Sequence, residues 1–252
     1  MMETSAWVDV FLFIFGLVFG SFFAAFSWRY PKRISIVKGR SFCPKCRKQI
    51  NWYDNIPLLS FVFLRGRCRN CKKKISIRYP IIEVTTAIGF LAIFVLQGLS
   101  LQSVYSIVIF SILFLIFIID FENKIIPDDL VFLGFIPVLL YTIYYVPIPL
   151  FSSLLAGFIS ATLLLLIHLI TRGRGMGLGD VKFAVLGGMI VGLNLMLVWL
   201  FLAFLTGAVA GIILILGRKA GLKDQIAFGP FLVLAIPITL IWGQKIIEIM
   251  LH

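Results

Sequence analysis

The chain has 252 residues, 61% of them hydrophobic and only 13% charged, with a mean hydropathy of +1.06, against about 25% charged residues in an ordinary soluble domain. Its formal net charge of +12 would suit a nucleic-acid binder, but uncharged stretches of 19 to 42 residues exclude that class, along with a secreted domain and a disordered chain. The composition is that of an all-α polytopic membrane protein whose partner is a lipid bilayer, with no nucleic-acid partner expected.

In chain order, the charge-free stretches run over 10–28, 84–119, 130–171, 183–217 and 225–244. At about 20 residues per crossing they hold one, two, two, two and one helices, about eight in all. Val10 to Trp28 lacks the positive n-region of a signal peptide, having Glu3 and Asp9 instead, and outruns an h-region, so it reads as a retained span. Turn-prone residues divide the paired stretches at Gly98 to Ser103, at Pro147-Ile148-Pro149 and at Gly192-Leu193-Asn194. The predicted spans are 7–28, 81–98, 103–120, 130–146, 150–170, 182–195, 196–216 and 226–244. The chain thus divides into a first transmembrane helix (1–28), a basic loop (29–80) and a seven-helix membrane core (81–252).

Orientation follows from the cations, because loops kept in the cytoplasm carry an excess of Lys and Arg. Arg29 to Arg78 holds 15 of the 23. With that loop cytoplasmic and eight alternating spans, Lys124, Arg172, Arg174, Lys182, Arg218, Lys219 and Lys223 fall on the same side and only Lys245 outside, a ratio of 22 to 1. Both termini are then expected outside.

All four cysteines lie in the basic loop, as Cys43-Pro44-Lys45-Cys46 and Cys68-Arg69-Asn70-Cys71 with 21 residues between the pairs. Two such knuckles can close one tetrahedral thiolate site, and the surrounding cations offset its negative charge. A structural zinc is expected there, in preference to a redox dithiol pair or inert thiols. Four protein ligands leave no open position, so this metal holds the loop together and performs no chemistry.

Eleven acids remain to carry chemistry. Asp120 ends the apolar run Ser111 to Ile119, and Asp180 follows Gly175-Met176-Gly177-Leu178-Gly179 at the start of the sixth span, at the same depth on the same face. Carboxylates at a membrane boundary are functional candidates, and two together share a proton and activate water. Asp180 alone would also serve as a helix cap, and Asp128 and Asp129 after Pro127 are read as caps. Asp120 opposes its helix dipole, which argues against a structural choice. Gly177 and Gly179 would let a substrate backbone approach, with Lys182 beside them. His168 and His252 are not placed to support a nucleophile, and no serine, cysteine or metalloprotease motif competes.

These residues belong to a longer series: Gly20-Ser21-Phe22, Arg29-Tyr30-Pro31, the paired cysteines, Trp52 to Pro57, Leu64-Arg65-Gly66-Arg67, Ile75 to Pro80 with Glu83, Asp120 with Ile126-Pro127-Asp128, Gly177 to Lys182, and Phe228-Gly229-Pro230. In that order they resemble the type IV prepilin leader peptidases, polytopic aspartic proteases of the bacterial inner membrane. Ala24 stands where that family commonly has Asn. The resemblance implies that Asp120 and Asp180 are the catalytic pair and that residues 81–252 are a protease core. It also implies that the substrates are prepilins or pseudopilins, cut at the cytoplasmic face to remove a short basic leader. By the same resemblance, many members with the cysteine loop also N-methylate the new N-terminal residue with S-adenosylmethionine. Two other classes stay open on the residues alone: a cation or proton-coupled transporter built on the same carboxylates, and a non-catalytic pilus or secretion assembly factor.

Overall fold

The computed structural model describes residues 6–36, 39–145, 150–218, 221 and 226–251. Among these residues there is no strand beyond two isolated bridges. The helices are α1 (Ala6–Arg29), α2 (Leu59–Phe63), α3 (Arg78–Gln97), α4 (Leu101–Asn123), α5 (Asp128–Tyr144), α6 (Leu150–Ile170), α7 (Leu178–Val191), α8 (Met196–Leu216) and α9 (Gly229–Leu251). Each expected span has its helix, and α1, α3, α4, α6, α8 and α9 are long and apolar enough to cross a membrane.

The remaining two fall short. Helix α5 has 17 residues and α7 only 14, which at 1.5 Å per residue is about 21 Å for α7 against a hydrocarbon layer of about 30 Å. The expected span 182–195 is displaced to Leu178–Val191 because both ends are set by glycine. Gly177 caps the N-terminus in an extended conformation, and Gly192 ends the helix at φ +83°. Asp180 and Lys182 therefore lie inside the first turns of the helix. Helix α4 likewise continues past Asp120 to Asn123, while α9 runs on through Lys245 and Glu248, since a charge near a helix end extends to water without stopping the helix. The break at Gly98 occurs as expected, at φ +65°. The expected turn Pro147-Ile148-Pro149 and the cations Lys219 and Lys223 lie outside the described residues.

The chain forms two compact units, Met1–Ser111 and Ile112–His252. In the first, α1 packs on α3 backbone to backbone. A Cβ on Gly16 would come within 2.5 Å of Ala87 Cα, and one on Gly20 within 2.6 Å of Glu83 Cα. This is a small-xxx-small seam, the device by which helices approach closely where lipid removes the hydrophobic drive. Arg78 secures the end of the seam, donating to the Ala24 carbonyl at 3.0 Å and the Ser27 hydroxyl at 2.7 Å. The polar contact at position 24 is thus made by its backbone, which any residue supplies. Buried Glu83 accepts the amide of Leu58 at 2.8 Å, holding Leu58 at φ 59°, ψ −50°, a strained turn for a branched residue.

In the second unit α7 is the central helix. Gly157 of α6 and Gly188 of α7 meet so closely that a Cβ on Gly188 would be 2.6 Å from the Ala156 carbonyl oxygen. Gly187 sits under the Trp199 ring, whose Nε1 donates to the Leu232 carbonyl at 2.9 Å and ties α8 to α9. Gly134 of α5 lies against Leu186. Glycines on three sides let a short helix be surrounded, and surrounding it buries Phe183, Ala184 and Leu186 completely.

Candidate active site and metal centre

The two cysteine pairs fold alike. Cys43 accepts from the Arg47 amide and donates to the Lys48 carbonyl, while Ile50 donates to Ser41; displaced by 25 residues, Cys68 accepts from Lys72 and donates to Lys73, and Ile75 donates to Gly66. Arg47 and Lys72 take the same left-handed conformation, φ 58° and 57°. Each knuckle is closed by one bridge, Phe42 with Gln49 and Arg67 with Lys74. The cysteines are free thiols. Their four Sγ atoms lie within 4.8 Å of one another, with Cys43 and Cys71 at 4.0 Å. Zinc–sulfur bonds of about 2.3 Å imply tetrahedral edges of about 3.8 Å, so a small closure of the cluster fits one ion. Burial works against ionising Cys43, but the amides of Cys46 and Lys45 outweigh it and bring the thiol down to about 7. The Lys73 amide favours the Cys71 thiolate, yet burial and the three neighbouring thiols outweigh it and push Cys71 up to about 11.

In the second unit Asp120, in the last turn of α4, and Asp180, in the first turn of α7, are 4% and 8% exposed. Glycines stand against both carboxylates. A Cβ on Gly229 would come within 2.5 Å of Asp120 Oδ2, and one on Gly177 would lie 3.1 Å from Asp180 Oδ2. Buried Ile126 wedges between the two arms, 3.1 Å from a Cβ on Gly179 and 3.0 Å from one on Gly229. Asp180 Oδ2 accepts the Gly177 amide at 3.0 Å, so Asp180 does perform half of a capping box. Among the described residues Asp120 Oδ2 is buried with no hydrogen-bond partner, which leaves that oxygen to be satisfied by water or substrate.

The glycine-rich loop before α7 is ordered by its neighbours. His168 Nδ1 lies 2.7 Å from the Met176 carbonyl oxygen and must carry a proton to bond there. The Gly175 amide donates to Thr171 Oγ1 at 3.1 Å. Met176 C=O and Gly177 N–H belong to one peptide group, so His168 on one side and Asp180 on the other hold the same amide plane. Reading His168 only as a residue unable to serve a nucleophile missed this contact. The available signal was a histidine in the last helical turn before a glycine run. Gly229 was visible only as part of a motif, because its partner is 109 positions earlier in the chain.

Lys182 donates to both oxygens of Asp128, at 2.9 and 2.7 Å, in an exposed ion pair. The expected capping by Asp128 and Asp129 is not how α5 begins. Its N-cap is Pro127, without a side-chain bond, and the two acids occupy the first turn, where the helix dipole favours them.

Residues 14–97 match the family described as bacterial peptidase A24 N-terminal domain, and residues 107–212 match the type IV leader peptidase family. A prepilin leader peptidase/N-methyltransferase of Bacillus subtilis (strain 168) is 32% identical over 238 residues, covering 94% of this chain and 95% of its own. Proteins of the same name from Pseudomonas putida and Vibrio cholerae are 31% and 35% identical, covering 85% and 72% of this chain and 76% of their own length in each case. No solved structure matches the chain. Its apolar helices and these relatives together show a bacterial membrane protein, and the chain belongs to the type IV leader peptidase family.

Proposed function

We propose that the chain is a membrane aspartic endopeptidase that removes the basic leader from prepilins or pseudopilins, with Asp120 and Asp180 as its catalytic pair. The observation that carries this reading is the pair itself: two buried carboxylates 60 apart in sequence, each set against a glycine, with Ile126 packed between the Gly179 and Gly229 positions beside them. Asp180, at a helix N-terminus and bonded to an amide, begins as the base that takes a proton from water. Asp120, at a helix C-terminus, donates to the carbonyl oxygen of the scissile bond. Collapse of the tetrahedral species returns a proton to the leaving amine, and the pair is restored. A transporter reading has no comparable support, since both acids sit at helix ends and none of the described acids lies midway along a helix.

Zinc is the metal we assign to the four thiolates. It would be held by Cys43, Cys46, Cys68 and Cys71 and would brace the loop, with no position open for chemistry. We read α5 and α7 as completing eight crossings with the six longer helices; on that reading the excess of Lys and Arg in the cysteine loop supports a cytoplasmic loop and catalytic face, with both termini outside. N-methylation is supported by the name its relatives share, and S-adenosylmethionine is the methyl donor that the family resemblance implies. Neither of two hollows in the structure suits that cofactor: the one lined by Arg65, Arg67, Arg69 and Lys72 has the wrong sign for a sulfonium, and the one between α5 and α7 holds only about 200 Å³, below the size of ordinary ligand pockets. No step is assigned to the cofactor.

Reconstituted protein mixed with a prepilin should release the leader. Asp120→Asn and Asp180→Asn should each lower the rate by about 10²- to 10⁴-fold with membrane insertion and zinc content unchanged. Substantial cleavage by either variant would refute the pair.

A further inference from the structure

The basic loop holds 15 cations between Arg29 and Arg78 against one acid, Asp54, and Asp54 is taken up by Arg69 at 2.7 Å. Within this loop α2 is inside out for a helix in water. Leu59, Val62 and Phe63, at i, i+3 and i+4 on one face, are 55%, 63% and 82% exposed. The other face turns inward, Ser60 Oγ donating to the Tyr53 carbonyl at 2.8 Å and the Phe61 ring lying over Gly66. Immediately after α2, beside the second cysteine knuckle, the chain makes a hollow of about 390 Å³ lined by Leu64, Arg65, Arg67, Cys68, Arg69 and Lys72.

An outward apolar stripe beside a cation-lined hollow matches one environment, the boundary of an anionic bilayer, where apolar side chains enter below the headgroups and cations meet phosphates. The loop is tied at both ends to helices long enough to cross the membrane, α1 and α3, which confines α2 to the region of that boundary and raises its effective concentration there. A basic leader peptide is the wrong partner for the hollow, because like charges repel.

We propose that α2 and the hollow form an interfacial lipid site: Leu59, Val62 and Phe63 enter the headgroup layer, and Arg65, Arg67 and Lys72 take the phosphate of an anionic phospholipid. The site does not depend on the roles of Asp120 and Asp180.

The test uses the full chain in nanodiscs of phosphatidylcholine alone or mixed with phosphatidylglycerol, read by hydrogen exchange over residues 58–74. Exchange should slow by about tenfold in the anionic discs. Arg65→Gln with Arg67→Gln should remove the difference between the lipids, and Val62→Asp with Phe63→Asp should remove protection in both, with zinc retained. A photoreactive side chain at position 63 should form lipid adducts, a readout independent of how the aspartate variant folds. Equal exchange in the two lipids, or absence of lipid adducts, would overturn the site. So would equal protection by glycerol phosphate in detergent, marking a soluble-anion site, or protection that appears only on adding a prepilin, marking a substrate surface.

Discussion

The thiol cluster and the carboxylate pair are assembled in opposite ways. Each cysteine knuckle folds on itself within ten residues through the same hydrogen bonds, repeated 25 positions later, so only the meeting of two preformed pieces is left to tertiary structure. The carboxylates have less of it. Asp180 has one local contact, the Gly177 amide three residues away, but Asp120 is set against Gly229, 109 positions later, and Ile126 packs between Gly179 and Gly229. The thiol cluster should therefore tolerate change outside its own loop. The carboxylate pair should be sensitive to a single methyl group placed far from either aspartate in sequence.

Gly229→Ala tests that sensitivity most severely. Its Cβ would press on Asp120 Oδ2, and a displacement of the order of 1 Å costs about 10²-fold in rate. Leader release by reconstituted protein should fall by that amount while zinc content stays at that of the parent. A variant with parental kcat would show that the glycine is only a helix start.

The converse change is Cys46→Ser. Zinc content should fall and residues 40–75 should become open to proteolysis, since a structural zinc contributes folding energy directly. Loss of leader release should be smaller than in Gly229→Ala, because the hydrogen bonds that fold each knuckle stay within its own ten residues. Stoichiometric zinc in a variant lacking all four cysteines would contradict the assignment.

That asymmetry also decides what was legible in the sequence. The knuckles were fully readable, since ligand identity and spacing are local. The helices were readable from uncharged length alone, and their ends were not. Helix α7 starts four residues before the predicted span because a glycine cap can hold charged residues inside the first turn. Asp120 and Asp180 stood out because acids at a membrane boundary are costly. Gly229, Ile126 and His168 did not, because glycine, isoleucine and histidine become informative only when a distant neighbour gives them a contact.

A smaller effect should come from His168, which touches no carboxylate but holds the peptide group that does. His168→Leu removes the donor to Met176 and with it the polarisation of the Gly177 amide. The expected result is a fall in kcat of about tenfold, equivalent to losing one hydrogen bond of about 1.4 kcal/mol, with little change in KM. His168→Asn, whose amide nitrogen falls near Nδ1, should restore most of it. If Thr171→Val, which loosens the same loop at Gly175, reproduces the kcat loss, then loop order and not the shared peptide is responsible.

The smallest effect is expected at Asp128 and Lys182. Both side chains of the pair are 50% exposed, and surface pairs of this kind contribute about 0–1 kcal/mol. Asp128→Asn should accordingly shift the melting temperature by only a few degrees at most. The informative comparison is between partners. If Lys182 serves the ion pair alone, Lys182→Ala and Asp128→Asn should have the same small effect, and a double-mutant cycle should recover their coupling. If Lys182 also meets the substrate beside Gly177 and Gly179, then Lys182→Ala should raise KM for the prepilin while Asp128→Asn does not. The cycle would then show a loss that belongs to the lysine and not to the pair, which separates a fold contact from a substrate contact on a side chain that does both.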